Sequence, residues 1–495
     1  MTLTQVMIVG AGPVGMTLAA ELTRYGVKVR IVDKAAQRTD KSKALVLWSR
    51  TLELMDRGIG TSRFLETGFK VNAVNLISGA AVIGHVDMSL VDSPYPFALM
   101  IPQSETERLL EERLAELGIV VERGVKVTAI HNGGAGVTAS LTGADGRQDE
   151  VSTDWLVGCD GAHSVVRHAL GATFDGETNE SDWILADVHV AGYPAADTVA
   201  SVYWHADGAF VVFPISPGRY RVLADVPASG QAKPPTPDLA KVQAIIDRRG
   251  PGQMTAFDPI WLAGFRINGR KVSQYRWGRI FLAGDAAHVH SPAGGQGMNT
   301  GMQDAFNLAW KLAMVIHGTS GDQLLDSYSP ERSHVGDQVL KSAGLLTTVG
   351  TLRNPLARSL RDAVGHVLLG LGSVQHSFAN NMAEVTVGYP GSPLNAPHLH
   401  RQTLHPGARV APVSAQIPVG SGSVPKFRLL ADPAAQIGAT LARYGKLIEV
   451  EIQTSPTMEV LSLVRPDGYL AGDFTDEAAL SDYMARSVGS LPAST

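Results

Sequence analysis

The sequence predicts an α/β protein of more than one domain, and three observations carry that prediction. A strand, a glycine-rich turn, a helix and a second strand open the chain. Strand patterns joined by glycine and proline turns fill its middle, and a further set of strand and helix patterns ends it. The 495 residues exceed what one small core requires, so two or three domains are expected.

Composition and charge narrow the class of protein. The chain is 44% hydrophobic and 18% charged with a formal net charge of −5, which gives no electrostatic reason to expect nucleic acid or an anionic membrane as partner. A single cysteine, Cys159, excludes an internal disulfide and a CxxC pair and fits a reducing cytoplasm. The N-terminus lacks the basic segment of a signal peptide, and no apolar run reaches the ~18 residues of a membrane helix. We therefore expect a cytoplasmic protein.

The opening segment predicts a βαβ unit. Val6 to Val9 is a short apolar run that favours a buried strand, Pro13 to Tyr25 has helical periodicity, and Val29 to Val32 is a second strand. Between the first strand and the helix stands the motif GAGPVG of residues 10–15.

That motif has the GxGxxG spacing of a dinucleotide-binding turn. Gly10 permits the tight turn, Gly12 lets the backbone approach a pyrophosphate, and Gly15 allows close packing of helix and strand. The helix N-terminus favours the negative charge of the pyrophosphate. Asp33 ends the second strand about 20 residues further on, where a carboxylate accepts hydrogen bonds from ribose hydroxyls.

The middle of the chain predicts an antiparallel sheet. Alternating patterns over 201–205, 209–214 and 219–226 are joined by turns. Because side chains alternate between the two faces of a strand, only some of the aromatic residues there can line a cavity, and most are expected in the core. These aromatic residues are Tyr203, Trp204, Phe213 and Tyr220. Before this sheet, SETERLLEERLAEL over residues 104–117 predicts a helix whose Ser104 and Glu107 have capping-box spacing.

Two further motifs follow predicted strands. CDGAHS begins at Cys159 after an apolar strand, and Arg167 lies three residues beyond it. A second strand ends at Gly284-Asp285, ahead of the glycine-rich turn of 292–297 and a helix from Met298 to Ile316. The carboxylate of Asp285 can accept from a ribityl hydroxyl, and a helix N-terminus stabilises the negative charge of a reduced flavin.

In this order and spacing, the three motifs resemble the para-hydroxybenzoate hydroxylase family of class A flavin monooxygenases. DGAHSVVR and GRIFLAGDAAHVHSPAGGQGMNTGMQDAFNLAWKL are similar to its DG and GD motifs, and the likeness covers about residues 5–350. Pro406-Gly407, Arg409 and the stretch LVRPDG of 463–468 resemble the thioredoxin-like appendage of the phenol hydroxylase and aromatic-polyketide hydroxylase branch.

The resemblance implies an FAD-binding Rossmann-like βαβ domain, an antiparallel-sheet substrate domain and a C-terminal thioredoxin-like α/β domain. We expect the FAD-binding domain over 1–180 and 276–390, the latter with a helical region from about Pro330 to Asn381. The substrate domain is expected over 181–275 and the thioredoxin-like domain over 400–495. The composition of Tyr389 to Pro412 is typical of a linker.

Site residues carry over from the family position by position. The cofactor contacts implied are Gly10, Gly12, Pro13, Val14, Gly15, Asp33, Lys43, Gln103, Val127, Asp160, Gly284, Asp285, Gly297, Met298 and Asn299. The catalytic candidates are Pro292, whose family counterpart turns a carbonyl towards the substrate, with Arg221 and His290. His288 fits a structural hydrogen bond better than catalysis, and Cys159 fits a small buried hydrophobe.

Two positions depart from the family pattern. Lys43 stands where the family usually has arginine, so a point charge replaces a bidentate fork at the phosphate contact. Gly472 stands where the C-terminal motif usually has tryptophan, which predicts different packing in that domain. No cofactor motif lies after about residue 405, so we expect this part to serve solubility or assembly more than flavin chemistry.

The implied activity is hydroxylation of an aromatic, phenolic or polyketide-like substrate by a single-component FAD-dependent monooxygenase, or a near relative of that reaction such as epoxidation, Baeyer–Villiger insertion or drug inactivation. NADPH or NADH reduces the flavin transiently, and O₂ then adds at C4a to give a hydroperoxide that the substrate ring attacks. Two-dinucleotide reductases need a second GxGxxG unit, and flavin-dependent halogenases need a Trp-x-Trp-x-Ile-Pro signature; the sequence has neither. No residue cluster predicts a metal site. A flavin-binding protein that sequesters a reactive intermediate with little turnover stays open, as does a homodimer.

Overall fold

The structure is a computed structural model that describes residues 4–40, 43–399, 404–413, 416–452 and 460–489. Its helices in chain order are α1 Pro13–Arg24, α2 Ser49–Met55, α3 Ser62–Thr67, α4 Gln103–Glu116, α5 Val165–Ala169, α6 Leu239–Arg249, α7 Gly297–Ile316, α8 Tyr328–Gly350, α9 Pro355–Leu369, α10 Gly372–Met382, α11 Gly438–Tyr444 and α12 Glu477–Ser487.

Its strands in chain order are β1 Val6–Val9, β2 Val29–Asp33, β3 Val46–Leu47, β4 Phe69–Val71, β5 Ala73–Ser78, β6 Ala81–Asp87, β7 Ala98–Met100, β8 Glu122–Arg123, β9 Lys126–Asn132, β10 Val137–Thr142, β11 Gln148–Thr153, β12 Trp155–Gly158, β13 Asp175–Ala191, β14 Val199–His205, β15 Gly208–Ser216, β16 Arg219–Val226, β17 Thr255–Lys271, β18 Arg276–Trp277, β19 Ile280–Leu282, β20 His288–Val289, β21 Phe427–Ala431, β22 Ile448–Ile452, β23 Leu461–Val464 and β24 Leu470–Phe474.

The first large sheet is mainly parallel and brings the three sequence motifs together. Its strand order is β18-β19-β12-β1-β2-β8, and every neighbouring pair except β18 and β19 is parallel. Strand β1 is buried along its whole length, as expected at the centre of a sheet that is covered on both faces. The three motifs begin where the neighbouring strands β1, β12 and β19 end. They therefore lie side by side at the carboxyl ends of these strands, where open α/β sheets bind their ligands.

The second large sheet has the order β20-β17-β13-β16-β15-β14-β5-β6. It is antiparallel apart from the pair of β14 and β5. Strands β5 and β6 come from before the predicted range 181–275, and β20 comes from after it. The predicted alternation of its aromatic residues holds: Tyr203 and Tyr220 pack in the cluster with α6, whereas Trp204 and Phe213 pack in the cluster on the other face.

The C-terminal sheet has the order β22-β21-β23-β24. Strands β21 and β22 are parallel and joined by α11, and the antiparallel strands β23 and β24 are followed by α12. This is the thioredoxin-like arrangement that the resemblance implies. A Cβ at Gly472 would lie 2.3 Å from the Cβ of Ala396, so this packing has no room for the tryptophan that the family usually carries there.

The fold corrects two sequence predictions. Helix α4 begins at Gln103 with Pro102 as N-cap, so Ser104 lies inside the first turn and makes no capping box. The segment expected to be a linker is packed: Tyr389, Leu394 and Ala396 are buried. Residues 400–403 of that segment lie outside the described part of the chain.

The helical stretch predicted from about Pro330 to Asn381 forms the three helices α8, α9 and α10. Among the described residues, no helix combines the length and the apolar character needed to cross a membrane.

Candidate active site

The first turn is closely packed at two glycines and open at the third. Gly10 has φ +101°, and a Cβ there would lie 2.4 Å from the carbonyl oxygen of Cys159. A Cβ at Gly15 would lie 2.0 Å from the oxygen of Gly10, so both positions require glycine. At Gly12, by contrast, a Cβ would meet no described atom within 4 Å. The N-terminus of α1, which begins with Pro13, therefore faces open space that can receive a pyrophosphate.

Asp33 closes this end of the site. Its Oδ2 accepts a hydrogen bond of 2.7 Å from the amide of Ala11, and its Oδ1 accepts one of 2.8 Å from the amide of Ala35. A carboxylate has about four acceptor positions, so it retains capacity for ribose hydroxyls. Val127, also predicted to contact the cofactor, is buried in the main core, and only its backbone could serve a ligand.

The second motif stabilises its own helix and joins the third motif. Asp160 accepts from the hydroxyl of Ser164 at 2.5 Å and from the amide of Val165 at 2.7 Å, at the start of α5. Burial raises the pKa of this carboxyl against the effect of those hydrogen bonds. Arg167 donates to the carbonyl of Ala162 at 2.8 Å and to that of Ala286 at 3.1 Å. Its guanidinium thus connects the two loops.

Two helix N-termini converge on the third motif. Gly284 has φ +60°, and a Cβ there would lie 2.8 Å from Cγ2 of Val14 on α1. A Cβ at Gly301 on α7 would lie 2.7 Å from the same methyl group. The amide of Gly284 donates to Oδ2 of Asp304 at 2.9 Å. Helices α1 and α7 therefore begin on either side of one turn, and the small residues at 284 and 301 permit that approach.

The side chain of Asp285 is exposed at this turn but has protein groups around its carboxyl. Desolvation by the surrounding protein raises the pKa of its carboxyl, while His288 and Lys43 act to lower it. The side chain of Lys43 is exposed. Its carbonyl accepts from Arg221 at 2.8 Å. The backbone amide of Ala44, which follows Lys43, donates to Oε1 of Gln103 at 3.3 Å.

The start of α7 offers free amides. Its N-cap residue, Gln296, accepts no side-chain capping bond, and the first amides of a helix have no intrahelical partner. The half-buried Met298 packs against the main core. The side chain of Asn299 is fully buried; it accepts from the amide of Trp48 at 2.8 Å and donates to the carbonyl of Val46 at 2.9 Å. Only the backbone of Asn299 is thus available to a flavin.

The two histidines of the third motif differ in their partners. His288 Nε2 is 2.8 Å from Oδ2 of Asp304, which fits the structural hydrogen bond expected for it. His290 Nδ1 donates to the carbonyl of Ser291 at 2.8 Å, so its Nε2 must be an acceptor. That Nε2 is buried, has no hydrogen-bond partner among the described residues, and would lie 3.5 Å from a Cβ at Gly297. Burial and then the effect of His288 lower the pKa of His290 to about 4.

Arg221, a catalytic candidate, is buried and paired. Its Nε and Nη2 donate to the two carboxylate oxygens of Asp187 at 2.7 and 2.9 Å. Phe213, Arg221, Asp187 and Trp261 stand opposite one another in register across β15, β16, β13 and β17. This aromatic row, as we name these four residues, places a neutralised ion pair between two rings. It reaches the site through the bond from Arg221 to the carbonyl of Lys43.

Pro292, the other catalytic candidate, lies in the turn before α7. Its carbonyl accepts from the amide of Gly295 at 2.9 Å. The indole of Trp48 donates to the carbonyl of Gly294 at 2.9 Å. The turn is therefore held by its own hydrogen bonds and by the segment that Asn299 also contacts.

Sequence reasoning missed Asp304, the central acceptor of the site. It accepts from Gly284, His288 and Arg332, the last at 2.6 Å. Burial acts to raise the pKa of Asp304, but Arg332, His288 and the Gly284 amide together hold it below the ordinary value. Its place on the helix was available as a clue, since Gly297, Gly301 and Asp304 follow the i, i+4, i+7 spacing of one helix face.

Known proteins share this architecture. The FAD binding domain family matches residues 3–343. The 6-methylpretetramide 4-monooxygenase of Streptomyces rimosus is 36% identical, with 94% of this chain and 90% of that protein covered. The anhydrotetracycline hydroxylase OxyS from Streptomyces rimosus superposes with a TM-score of 0.80 at 31% identity, covering 99% of both chains.

CabE, an aromatic hydroxylase from angucycline biosynthesis, superposes with a TM-score of 0.79 at 28% identity, covering 99% of this chain and 100% of that one. The family match spans all three motifs, and the similarity to these relatives also covers the C-terminal part of the chain. The chain therefore belongs to the FAD binding domain family, among its FAD-dependent aromatic monooxygenases.

Proposed function

We propose that this chain is a single-component enzyme that uses NAD(P)H and O₂ to hydroxylate a phenolic or polyketide-like ring. The observation that carries the proposal is the meeting of two helix N-termini at the Gly284-Asp285 turn. The aromatic row is joined to the backbone of Lys43 by Arg221. The monooxygenase and hydroxylase relatives support the reaction type. When bound, FAD supplies the two-electron exchange with NAD(P)H and the activation of O₂.

The ADP half of FAD fits the first turn. The open space at Gly12 lies at the N-terminus of α1, where free amides and the helix dipole favour a pyrophosphate. In this proposal Asp33 receives the ribose, and the exposed Lys43 supplies a positive charge for the phosphates. A lysine can act there as a point charge without the fork geometry of arginine.

The flavin half fits the third motif. Asp285 is exposed and accepts ribityl hydroxyls in this proposal. The amides of Gly297, Met298 and Asn299 stabilise negative charge on the flavin ring. The side chains of Asn299 and Trp48 hold this first turn of α7 in place, so the amides need no rearrangement when charge develops.

We infer that His290 contacts the substrate. An acceptor that is buried without a donor is costly, so the lone pair on His290 Nε2 calls for a donor from a ligand. Its low pKa keeps the ring neutral near neutral pH. We assign it a hydrogen bond from a hydroxyl of the aromatic substrate, which orients the ring without taking its proton.

The aromatic row supplies the neighbouring surface. Phe213 and Trp261 offer ring faces on either side of the Arg221–Asp187 pair, whose charges cancel. Arg221 is then a residue that holds the Lys43 loop and not a group that reacts. Phe213 and Trp261 favour a flat, uncharged ring system over an anion, because aromatic pairs add about 0.5–1.5 kcal/mol beyond burial of area.

The test is NAD(P)H oxidation by the FAD-loaded protein, with and without each member of a panel of phenols and polycyclic aromatic compounds, followed by chromatography of the products. The proposal expects at least one compound to stimulate oxidation and to be converted into a hydroxylated product. A compound that binds, and neither stimulates oxidation nor changes, would instead indicate a protein that sequesters it.

A further inference from the structure

The C-terminal part inserts a charged loop into the flavin-binding part. This loop, residues 465–468 between β23 and β24, carries the RPDG motif. Arg465 is fully buried, and its guanidinium contacts both carboxylate oxygens of Glu331 on α8, at 2.7 and 3.0 Å. It also donates to Asp467 of its own loop, at 2.6 and 3.0 Å.

Helix α7 completes the surroundings of this loop. Lys311 donates to Glu331 at 2.7 Å, and the indole of Trp310 donates to Asp467 at 3.2 Å. Two cations, Arg465 and Lys311, thus face two carboxylates in a fully buried cluster. Because buried charges are tolerated only when paired, the loop has one well-defined position against α7 and α8.

A continuous set of contacts leads from this loop to the Gly284-Asp285 turn, which we call the flavin turn. The ring of Tyr389 lies 5.3 Å from the guanidinium carbon of Arg465. The hydroxyl of Tyr389 accepts from Arg332 at 3.1 Å. Arg332 donates to Asp304 at 2.6 Å, and Asp304 accepts from the amide of Gly284 at 2.9 Å. All four side chains are buried.

We propose that Tyr389 and Arg465 are positioning residues for the flavin site: they fix Arg332 and Asp304, which hold the Gly284-Asp285 turn against the cofactor. The inference rests on the placement of FAD at that turn, proposed above. It gives the C-terminal part a role beyond solubility or assembly, although no cofactor motif lies there. The experiment measures the energetic coupling between these residues and the flavin site.

The chain offers a matched pair of tyrosines for the test. Tyr389→Phe removes the hydroxyl that contacts Arg332 and keeps the ring. Tyr193→Phe is the control, because the hydroxyl of this half-buried residue donates to the carbonyl of Val199 at 2.8 Å, beside β14 of the second large sheet. Each full-length variant is titrated with FAD, and the circular dichroism of the bound flavin and the thermal unfolding midpoint are recorded.

Tyr389→Phe should raise the FAD dissociation constant by about threefold to tenfold and alter the flavin dichroism, as expected for one lost hydrogen bond. Tyr193→Phe should lower the unfolding midpoint by a similar amount and leave both flavin measurements unchanged. Arg465→Lys, which keeps the charge and loses the fork, should shift the flavin measurements in the direction of Tyr389→Phe. Equal flavin measurements in both tyrosine variants would overturn the proposal.

A double-mutant cycle separates this inference from the site assignment. Tyr389→Phe and Asp304→Asn should be non-additive in FAD affinity if they act on one chain of contacts; strict additivity contradicts the positioning role. If Asp285→Ala weakens FAD and Tyr389→Phe does not, the site stands and the positioning role is wrong. If Asp285→Ala also leaves FAD affinity unchanged, the flavin is not at this turn, and both proposals are wrong.

Discussion

Gly284 and Asp304 are joined by a hydrogen bond of 2.9 Å from the backbone amide to Oδ2. This contact ties the turn that carries Asp285 to Asp304, a buried residue of helix α7. The same carboxylate binds His288 and Arg332. One aspartate in the middle of a helix thus organises the third motif, and the geometry of the site depends on its charge.

Asp304→Asn should reduce the free energy of unfolding by about 3–5 kcal/mol, because it leaves Arg332 buried beside a neutral partner. Urea denaturation of the FAD-loaded protein measures the loss. Asp326→Asn is the control: its carboxylate is 71% exposed and pairs with Arg276, so its loss should cost no more than about 1 kcal/mol. Equal losses in the two variants would show that Asp304 is not the central acceptor.

Asp285→Ala should weaken FAD binding and leave the fold intact, because the side chain is exposed and extends from the turn. A lost hydrogen bond to a charged group is worth about 1.5–3 kcal/mol, which corresponds to about a tenfold to hundredfold rise in the FAD dissociation constant. Fluorescence titration of the apoprotein with FAD measures the change, with Asp145→Ala in an exposed turn as control. An unchanged dissociation constant contradicts the assignment of Asp285 to the ribityl chain.

The order of the motifs made much of this architecture predictable. Strands β1 and β2, helix α1 and the strand before Gly284 lie where the apolar runs indicate, because short buried strands beside glycine turns have a distinctive pattern. The capping box at Ser104 failed because Pro102 and Gln103 start that helix one residue earlier. The linker interpretation failed because composition is local, whereas the burial of Tyr389 depends on Tyr469, 80 residues along the chain, whose ring centroid is 4.3 Å away.

The site was less predictable than the fold. The glycines at 10, 15 and 284 are required by close packing around the backbone, so a sequence motif was enough to identify them. The pairing of Arg221 with Asp187 depends on strand register, which the sequence did not supply. The same holds for the contacts of Arg465 with helix α8, since a buried ion pair between distant segments leaves no local pattern.

The neutral state of His290 predicts a pH dependence of stability. Its folded-state pKa of about 4 lies below the ordinary 6.5, so the unfolded chain takes up the proton first as the pH falls. Stability from this residue is complete above pH 6.5 and is lost as the pH falls towards 4, by about 3 kcal/mol. His290→Gln should remove this loss, so the wild-type and variant free energies of unfolding should diverge by that amount between neutral pH and pH 4. His366→Gln, at an exposed position, controls for the change in charge; parallel curves for wild type and His290→Gln would contradict the prediction.

The buried Glu384 should make stability depend on pH in the opposite direction. It is buried with φ +60°, accepts from the hydroxyl of Thr300 at 3.0 Å, and accepts from the side-chain amide of Gln303 at 2.5 Å. Burial raises its pKa to about 8. Because the unfolded chain loses this proton first, stability falls as the pH rises from 4.5 towards 8, by roughly 4–5 kcal/mol.

Glu384→Gln should abolish that fall, since the amide stays neutral. Chemical denaturation at a series of pH values between 5 and 8 measures it, with Glu449→Gln on the surface as control. The prediction is wrong if the variant loses as much stability as the wild-type protein over this range.

The origin of the oxygen atom in the product decides whether this protein is a monooxygenase. The FAD-loaded protein is incubated with NAD(P)H under ¹⁸O₂ and the aromatic compound that best stimulates NAD(P)H oxidation, and the product is examined by mass spectrometry. A monooxygenase that works at this site should place one labelled oxygen atom on the ring for each NAD(P)H consumed in coupled turnover. A product without the label, or NAD(P)H consumption that yields only peroxide with every compound tried, would show that the protein does not hydroxylate these compounds with O₂.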